Sequence, residues 1–156
     1  MAKALKEGSK APAFKLPTDG GGEVSLADYK GKTLVLYFYP KDDTSSCTKE
    51  AIDFSAKAAA LKKAGVEVLG VSKDSVKSHD RFKEKHDLKI ALGSDETGKT
   101  VEAYGVWVEK SMYGKTYMGV ERATFLIDGA GVIRKIWNKV RVPGHVEEVL
   151  AAAKAL

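Results

Sequence analysis

The sequence contains very little cysteine: Cys47 is the only one among its 156 residues. A single cysteine cannot form an internal disulfide, a CxxC redox pair or a zinc site built from cysteines. Redox or nucleophilic chemistry at Cys47 must therefore use that side chain alone or together with a second molecule.

Long apolar segments are also missing. No stretch approaches the roughly 20 consecutive apolar residues that a membrane-spanning helix requires, and residues 1–10 lack the apolar core of a signal peptide. Apolar residues make up 44% of the chain and charged residues 30%, as in a globular protein that buries a core. We therefore expect one domain over residues 1–156, a cytoplasmic location and no membrane partner.

Arginine is scarce among the basic residues. The chain has 26 lysines and arginines against 21 acidic residues, a formal charge of +5, and four of the 26 are arginines. The lysines are spread along the whole chain, whereas nucleic-acid-binding proteins concentrate cations on one face and use arginine for bases and phosphates. The sequence favours a solvated basic surface over a nucleic-acid partner.

Strand-like and helix-like segments alternate along the chain, which predicts an α/β fold. The run TLVLYFY at residues 33–39 is continuously apolar and is ended by Pro40, as in a central strand buried on both faces. A helix closed by Gly65 should follow, because apolar residues recur at spacings of three and four from Ala51 to Leu61.

The rest of the chain continues this alternation. A helix can be capped by Asp74 or Ser75, and another should begin at Pro143-Gly144. A turn at residues 128–131 should join the last two strands into a hairpin. The remaining predictions are strands at 13–16, 23–26, 66–71, 89–92, 123–127 and 132–137, and a short helix at 97–104.

Cys47 falls just after the predicted central strand, in the first turn of the following helix. Open α/β sheets bind ligands at this edge, and the free N–H groups and dipole of a helix start favour a thiolate. The alternative is that a lone cysteine is a small buried hydrophobe. The polar neighbours, among them Thr44, Ser45 and Ser46, favour a chemical role.

The segment YFYPKDDTSSCTKE at residues 37–50 resembles the active-site region of peroxiredoxins, whose signature has the spacing of Pro40, Thr44 and Cys47. Two later segments resemble the bacterioferritin-comigratory or peroxiredoxin Q subfamily, namely MYGK at 112–115 and ERATFLID at 121–128.

The resemblance implies a thioredoxin-like fold, in which helices flank a central mixed β-sheet. It also implies a thiol peroxidase that has Cys47 as peroxidatic nucleophile, Thr44 as its hydroxyl partner and Arg122 as the active-site arginine. The chain departs from the subfamily in two ways. Ser45-Ser46 replaces the usual Pro-Gly, and Ile52 and Lys83 occupy the two positions where a resolving cysteine would stand. We therefore expect a one-cysteine enzyme.

Each candidate side chain also has a plainer interpretation. Arg122 offers a fixed fork of N–H donors to the peroxide, but it could be a surface charge. Thr44 could bond the thiolate or the peroxide, and it could also cap the helix. Pro40 could shield the thiolate from solvent or only terminate the strand. Glu50 could orient Arg122 or be an exposed helix residue.

Other polar and aromatic residues give weaker signals. His79 and His86 are predicted to be surface residues of one helix, and His145 a helix-start residue; a cysteine hydrolase would need one of them beside Cys47. The apolar and aromatic cluster between Trp107 and Met118 is predicted to pack in the core, with the rim of a peroxide pocket or a partner surface as the alternative.

The sequence thus predicts an enzyme that reduces hydrogen peroxide or small organic hydroperoxides through a Cys47 sulfenic acid, with no cofactor or metal. An external thiol should regenerate it, from thioredoxin, glutaredoxin or glutathione, and the chain should be a monomer or weak homodimer. A non-catalytic peroxide sensor or binding module with the same cysteine is the alternative from another class.

Overall fold

A computed structural model describes residues 5–156, so the first four residues of the segment searched for a signal peptide lie outside it. Within the described range, no helix has both the length and the apolar character to cross a membrane. The strands and helices run in chain order as β1 (Lys15–Pro17), β2 (Glu23–Ser25), β3 (Thr33–Phe38), α1 (Ser45–Lys63), β4 (Val66–Ser72), α2 (Val76–His86), β5 (Ala91–Ser94), α3 (Lys99–Ala103), β6 (Trp107–Met112), β7 (Lys115–Val120), β8 (Ala123–Ile127), β9 (Ile133–Trp137) and α4 (His145–Lys154).

A five-stranded mixed sheet in the order β5-β4-β3-β8-β9 forms the centre of the fold. β3 is parallel to β4 and antiparallel to β8, and the register pairs Phe38 with Ala123. Because β3 is central, its side chains are buried on both faces, as its apolar run predicted. The mixed α/β architecture expected from the sequence is confirmed.

The two faces of β3 contribute to two separate clusters of the core. Val35 and Tyr37 pack on one face with Phe54 of α1 and Val149 of α4. On the other face, residues 34, 36 and 38 pack with α3 and the segment that contains β1. The ring of Tyr37 stacks on that of Phe54 at a centroid distance of 4.7 Å, which joins the middle of the sheet to α1.

Most predicted elements are present, with shifted ends. β8 has its predicted bounds. β3 ends at Phe38, one residue before the predicted end at Tyr39. Ser75 caps α2 by accepting a hydrogen bond from the Ser78 N–H. β5 lies two residues later than predicted, because its pairing with β4 begins at Ala91.

The sequence prediction was wrong for the segment between Trp107 and Met118. Residues 107–120 form the β6–β7 hairpin, and most of the apolar side chains assigned to the core are exposed. Tyr113 and Gly114 form its two-residue turn with φ values of 52° and 76°, which the favoured hairpin geometry requires. Gly114 was only a weak sequence signal for this turn, because tyrosine is uncommon at the positive φ of the first position.

Gly70 offers a test of the packing between β3 and β4. A Cβ atom at Gly70 would lie 2.7 Å from Cζ of Tyr37, whereas one at Gly93 would meet the flexible end of Leu16 at 3.1 Å. We expect Gly70→Ala to lower the free energy of unfolding by about 1–3 kcal/mol, because the crowded ring is itself fixed by Phe54. Urea denaturation measures the change. Gly93→Ala is the matched control, and an equal or smaller loss in Gly70→Ala would contradict this packing.

Candidate active site

Cys47 is the third residue of α1, directly after the connection that leaves the carboxyl end of β3. The residue is 1% exposed and lies in the core cluster that contains Tyr37 and Phe54. As the third helical residue, it therefore belongs to the first turn of α1, where the backbone N–H groups have no intrahelical partners. The location just past the central strand agrees with the sequence prediction.

Arg122 joins Cys47 to Glu50. Its Nη2 donates to Cys47 Sγ at 3.2 Å, and its Nη1 donates to Glu50 Oε1 at 2.6 Å. The Arg122 side chain is 14% exposed, so the interpretation as a free surface charge does not describe its position. Burial acts to lower the pKa of Arg122, but Glu50 and Cys47 outweigh that effect and raise it. The cation is therefore retained at this site.

Glu50 lies on the same face of α1 as Cys47, since the two are three residues apart. It is fully buried, and its pKa is raised to about 7 because burial disfavours the carboxylate more strongly than Arg122 favours it. Its Oε2 has no hydrogen-bond partner among residues 5–156. The sequence left Glu50 open between orienting Arg122 and facing solvent, and the observed contact is with Arg122.

Tyr37 adds a second buried polar atom to this region. Its hydroxyl has no hydrogen-bond partner within the described part of the chain, and burial raises its pKa well above the usual value, with smaller contributions from Glu50 and Cys47. The phenol stays neutral and can donate one hydrogen bond. Sequence reasoning took Tyr37 only as a core residue of the central strand.

Thr44 and Pro40 lie on the connection that precedes α1. Thr44 occupies the N-cap position, but its side chain makes no capping hydrogen bond. Its hydroxyl donates instead to the Lys41 carbonyl oxygen at 3.1 Å, and no hydrogen bond to Cys47 is found in the described residues. Pro40 is half-buried in the bend directly after Tyr39.

The three histidines do not contact Cys47. His79 is fully buried, which overturns the prediction of a surface residue, because its ring binds Asp42 and the Gly93 carbonyl oxygen. His86 is half-buried against Asp43. His145 is the first residue of α4, as predicted, and its Nε2 pairs with the Thr124 hydroxyl at 2.8 Å. None forms a hydrogen bond to Cys47 in residues 5–156, so this part of the chain contains no cysteine–histidine dyad of a hydrolase.

Ile52 and Lys83 occupy the two positions where the subfamily has a resolving cysteine. Ile52 is 44% exposed on α1. Lys83 on α2 donates from Nζ to Asp19 Oδ2 at 2.7 Å. Neither side chain can form a disulfide with Cys47, so a sulfenic acid at Cys47 cannot be resolved within the chain.

Comparison with known proteins agrees with these features. The AhpC/TSA family model matches residues 8–136. A putative peroxiredoxin bcp of Coxiella burnetii is 56% identical over 147 residues, which cover 94% of this chain and 97% of that protein. Peroxiredoxin Bcp of Bacillus subtilis is 49% identical over 150 residues, which cover 96% of each chain.

Solved structures show the same likeness. A crystal structure of a cysteine-to-serine mutant of Xylella fastidiosa PrxQ matches with a TM-score of 0.93 and 39% identity, over 99% of this chain and 98% of that one. A Xanthomonas campestris peroxiredoxin Q matches with a TM-score of 0.87 and 46% identity, over 91% and 90% of the two chains. The expected thioredoxin-like fold is thereby confirmed. The chain belongs to the AhpC/TSA family and, within it, to the Bcp or peroxiredoxin Q type of thiol-dependent peroxidase.

Proposed function

We propose that Cys47 is the peroxide-reducing nucleophile of this thiol peroxidase and that Arg122 is its principal electrostatic partner. The observation that carries the proposal is the hydrogen bond from Arg122 Nη2 to Cys47 Sγ at 3.2 Å. The same guanidinium is held by the buried Glu50 through its other terminal nitrogen. A fork fixed at one side leaves its remaining N–H donors oriented toward a molecule bound at the sulfur.

The reaction proceeds in three steps. The Cys47 thiolate attacks one oxygen of the hydroperoxide, the O–O bond breaks, and the second oxygen leaves as hydroxide or alkoxide that takes up a proton. Cys47 is then a sulfenic acid. A thiol reductant condenses with it, releasing water and leaving a mixed disulfide, and a second thiol displaces Cys47 as the free thiol.

Ionisation of the Cys47 thiol cannot by itself account for the acceleration of peroxide reduction. A free cysteine with a pKa of about 8.5 is about 3% thiolate at pH 7, so complete ionisation gains at most about 30-fold. A thiolate of lower basicity is also a weaker nucleophile. With a Brønsted slope of about 0.4–0.5, this loss of nucleophilicity cancels a factor of roughly ten of the gain from ionisation. Donors aimed at the breaking O–O bond must provide most of the acceleration, and we assign that task to Arg122.

We assign Glu50 the task of orienting Arg122, because its Oε1 accepts the shortest hydrogen bond that the guanidinium makes. The hydroxyl of Thr44 would have to turn away from the Lys41 carbonyl oxygen to reach the sulfur or a bound peroxide. That role of Thr44 and the shielding of the thiolate by Pro40 stay predictions.

An external thiol must complete the cycle, since Cys47 is the chain's single cysteine. The peroxide substrate and a thiol reductant follow from the family. Whether thioredoxin, glutaredoxin or glutathione serves stays a prediction. So do the single domain over residues 1–156, the monomer or weak homodimer, the cytoplasmic location, and the absence of a nucleic-acid or membrane partner.

Arg122→Lys tests the principal donor. Lysine keeps the charge but lacks the planar fork that contacts Cys47 and Glu50 together, so we expect peroxide reduction to slow by at least about tenfold. Stopped-flow measurement of the oxidation step gives the rate constant. Arg134→Lys, at an exposed arginine of β9, is the control. A near wild-type rate in Arg122→Lys would show that Arg122 is not the donor.

Glu50→Gln tests the charge state of the buried carboxyl. Because the pKa of Glu50 is raised to about 7 in the fold, its stabilising effect is complete below about pH 4.5 and is lost as the pH rises through 7. The neutral amide should avoid this loss. Between pH 5 and pH 8, the difference in free energy of unfolding between Glu50→Gln and wild type should therefore shift in favour of the variant by up to about 3 kcal/mol.

Urea denaturation of both proteins at the two pH values measures the effect. Glu84→Gln, at an exposed glutamate of α2, is the control and should show no such pH dependence. A stability difference between Glu50→Gln and wild type that is the same at both pH values would contradict the charge state assigned to Glu50.

Intact-mass measurement after graded peroxide tests the one-cysteine cycle. We expect one added oxygen at low dose, a second at high dose as sulfinic acid, and a glutathione adduct when that thiol is supplied. Cys47→Ser is the control, because oxygen added to it reports methionine oxidation instead. A disulfide between two chains as the main product would contradict the cycle. Peroxide consumption that stops near one equivalent per chain with a thiol present would indicate the sensor.

A further inference from the structure

Two successive carboxylates on the connection before α1 reach across to α2. Asp42 binds His79 and Asp43 binds His86, and the two histidines are seven residues apart on the same helix. The two contacts differ in burial. His79 and Asp42 are 0% and 4% exposed in their side chains, whereas His86 and Asp43 are 21% and 43% exposed. The peroxidase chemistry described above uses neither pair.

The buried contact is a charged pair. Asp42 Oδ2 accepts from His79 Nδ1 at 2.7 Å, and His79 Nε2 lies 3.0 Å from the Gly93 carbonyl oxygen. A carbonyl oxygen can only accept, so Nε2 carries a proton, and the Asp42 carboxylate takes the proton of Nδ1 as its donor. Both ring nitrogens therefore donate, and His79 is an imidazolium that bridges Asp42 to the end of β5.

Asp42 makes further hydrogen bonds besides the one with His79. Its Oδ1 accepts from the Tyr39 hydroxyl at 2.6 Å, and its Oδ2 also accepts from the Ser78 hydroxyl at 2.8 Å. Its backbone N–H donates to Asp74 Oδ2 at 2.9 Å. One residue thus ties the turn that leaves β3 to the loop after β4 and to α2.

Asp42 lies shortly before Cys47 in the chain. Asp43 follows in the left-handed region with φ of 61°, Thr44 is the N-cap of α1, and Cys47 is the third residue of the helix. Arg122 approaches from a different element, the residue before β8. The 3.2 Å contact between the two therefore depends on where the turn places the first residues of α1.

We infer that the Asp42–His79 pair is a positioning device for the peroxide reaction, holding the turn before α1 so that Cys47 Sγ meets Arg122. The inference rests on the proposed roles of Cys47 and Arg122. Stability alone explains such a pair poorly, because buried ion pairs are often no more stabilising than apolar residues of similar volume. Misplacing a reacting atom by about 1 Å, in contrast, can slow a reaction by about 100-fold.

The pair also has a pH signature. Burial acts to lower the pKa of His79, but Asp42, the Gly93 carbonyl oxygen and Asp74 together raise it above its ordinary value. The titratable groups that face the ring are Asp42 and Tyr39 on the turn and Asp74 after β4. With a raised pKa, the hold on the turn is complete below about pH 6.5 and is lost as the pH rises through the folded-state value.

The test compares His79→Gln and Asp42→Asn with the matched control His86→Gln, which alters the exposed contact of the same helix with the same turn. The rate constant for oxidation of Cys47 by hydrogen peroxide is measured per folded chain in single turnover, at pH values on both sides of neutrality. We expect the first two variants to be slower by at least about tenfold. His86→Gln should stay within about twofold of wild type, because exposed ion pairs contribute little.

The pH profile separates positioning from simple stabilisation. All chains are compared in a Glu50→Gln background, because the ionisation of Glu50 near pH 7 also changes the charge that reaches Cys47 through Arg122. After correction for the thiolate fraction, the rate of the Glu50→Gln chain should decline as His79 loses its proton, with that titration followed by NMR of the imidazole. In this background Asp42→Asn should move the decline to lower pH, His79→Gln should abolish it, and His86→Gln should keep it. Should a double variant not fold, the profile of Glu50→Gln alone still decides, because a flat corrected rate through the His79 titration contradicts the inference.

The outcomes also separate this inference from the proposed function. Wild-type rates per folded chain in His79→Gln and Asp42→Asn, with only earlier unfolding, would overturn the positioning role and leave the peroxidase intact. A wild-type chain that does not oxidise at Cys47 with peroxide would overturn the proposed function itself.

Discussion

The forked contact of Arg122 with Cys47 and Glu50 is the interaction on which the rest of the site depends. Cys47 and Glu50 lie three residues apart on α1, so one guanidinium can reach both. The sheet supplies the other half of this geometry. Because β3 and β8 pair with Phe38 opposite Ala123, the residue before β8 lies beside the turn that leaves β3. The central register therefore brings Cys47 and Arg122 to the same edge of the sheet.

Burial determines how the charge of Arg122 is shared. With its pKa near 7, Glu50 is largely neutral in acid and largely ionised in base. A neutral Glu50 still accepts the hydrogen bond from Nη1 but leaves the positive charge to the sulfur, whereas an ionised Glu50 competes with the thiolate for it. The buried carboxyl thus fixes the orientation of the guanidinium at every pH, while the electrostatic support that reaches Cys47 depends on its protonation.

The sequence predicted those features that depend on neighbouring residues. The apolar run of β3 and the spacing of Pro40, Thr44 and Cys47 are local patterns. The first located the central strand, and the second carried the family resemblance that implies a catalytic role for Cys47. The β6–β7 hairpin was missed because its methionines and tyrosines are apolar side chains at exposed positions. The burial of His79 could not be predicted, because its partner Asp42 lies 37 residues earlier and meets it only after β3 and β4 pair.

Burial of Cys47 places opposed demands on the turn before α1. Cys47 is only 1% exposed, so a peroxide of two or a few heavy atoms reaches its sulfur more easily than a protein thiol or glutathione does. With the role proposed for Arg122, the peroxide step gains from a rigid turn that keeps the 3.2 Å contact between Arg122 and Cys47. The reducing thiol must instead reach the sulfur of the sulfenic acid, and in a chain whose single cysteine is Cys47 it comes from another molecule. Contacts that fix the turn therefore favour the first half of the cycle at the expense of access in the second.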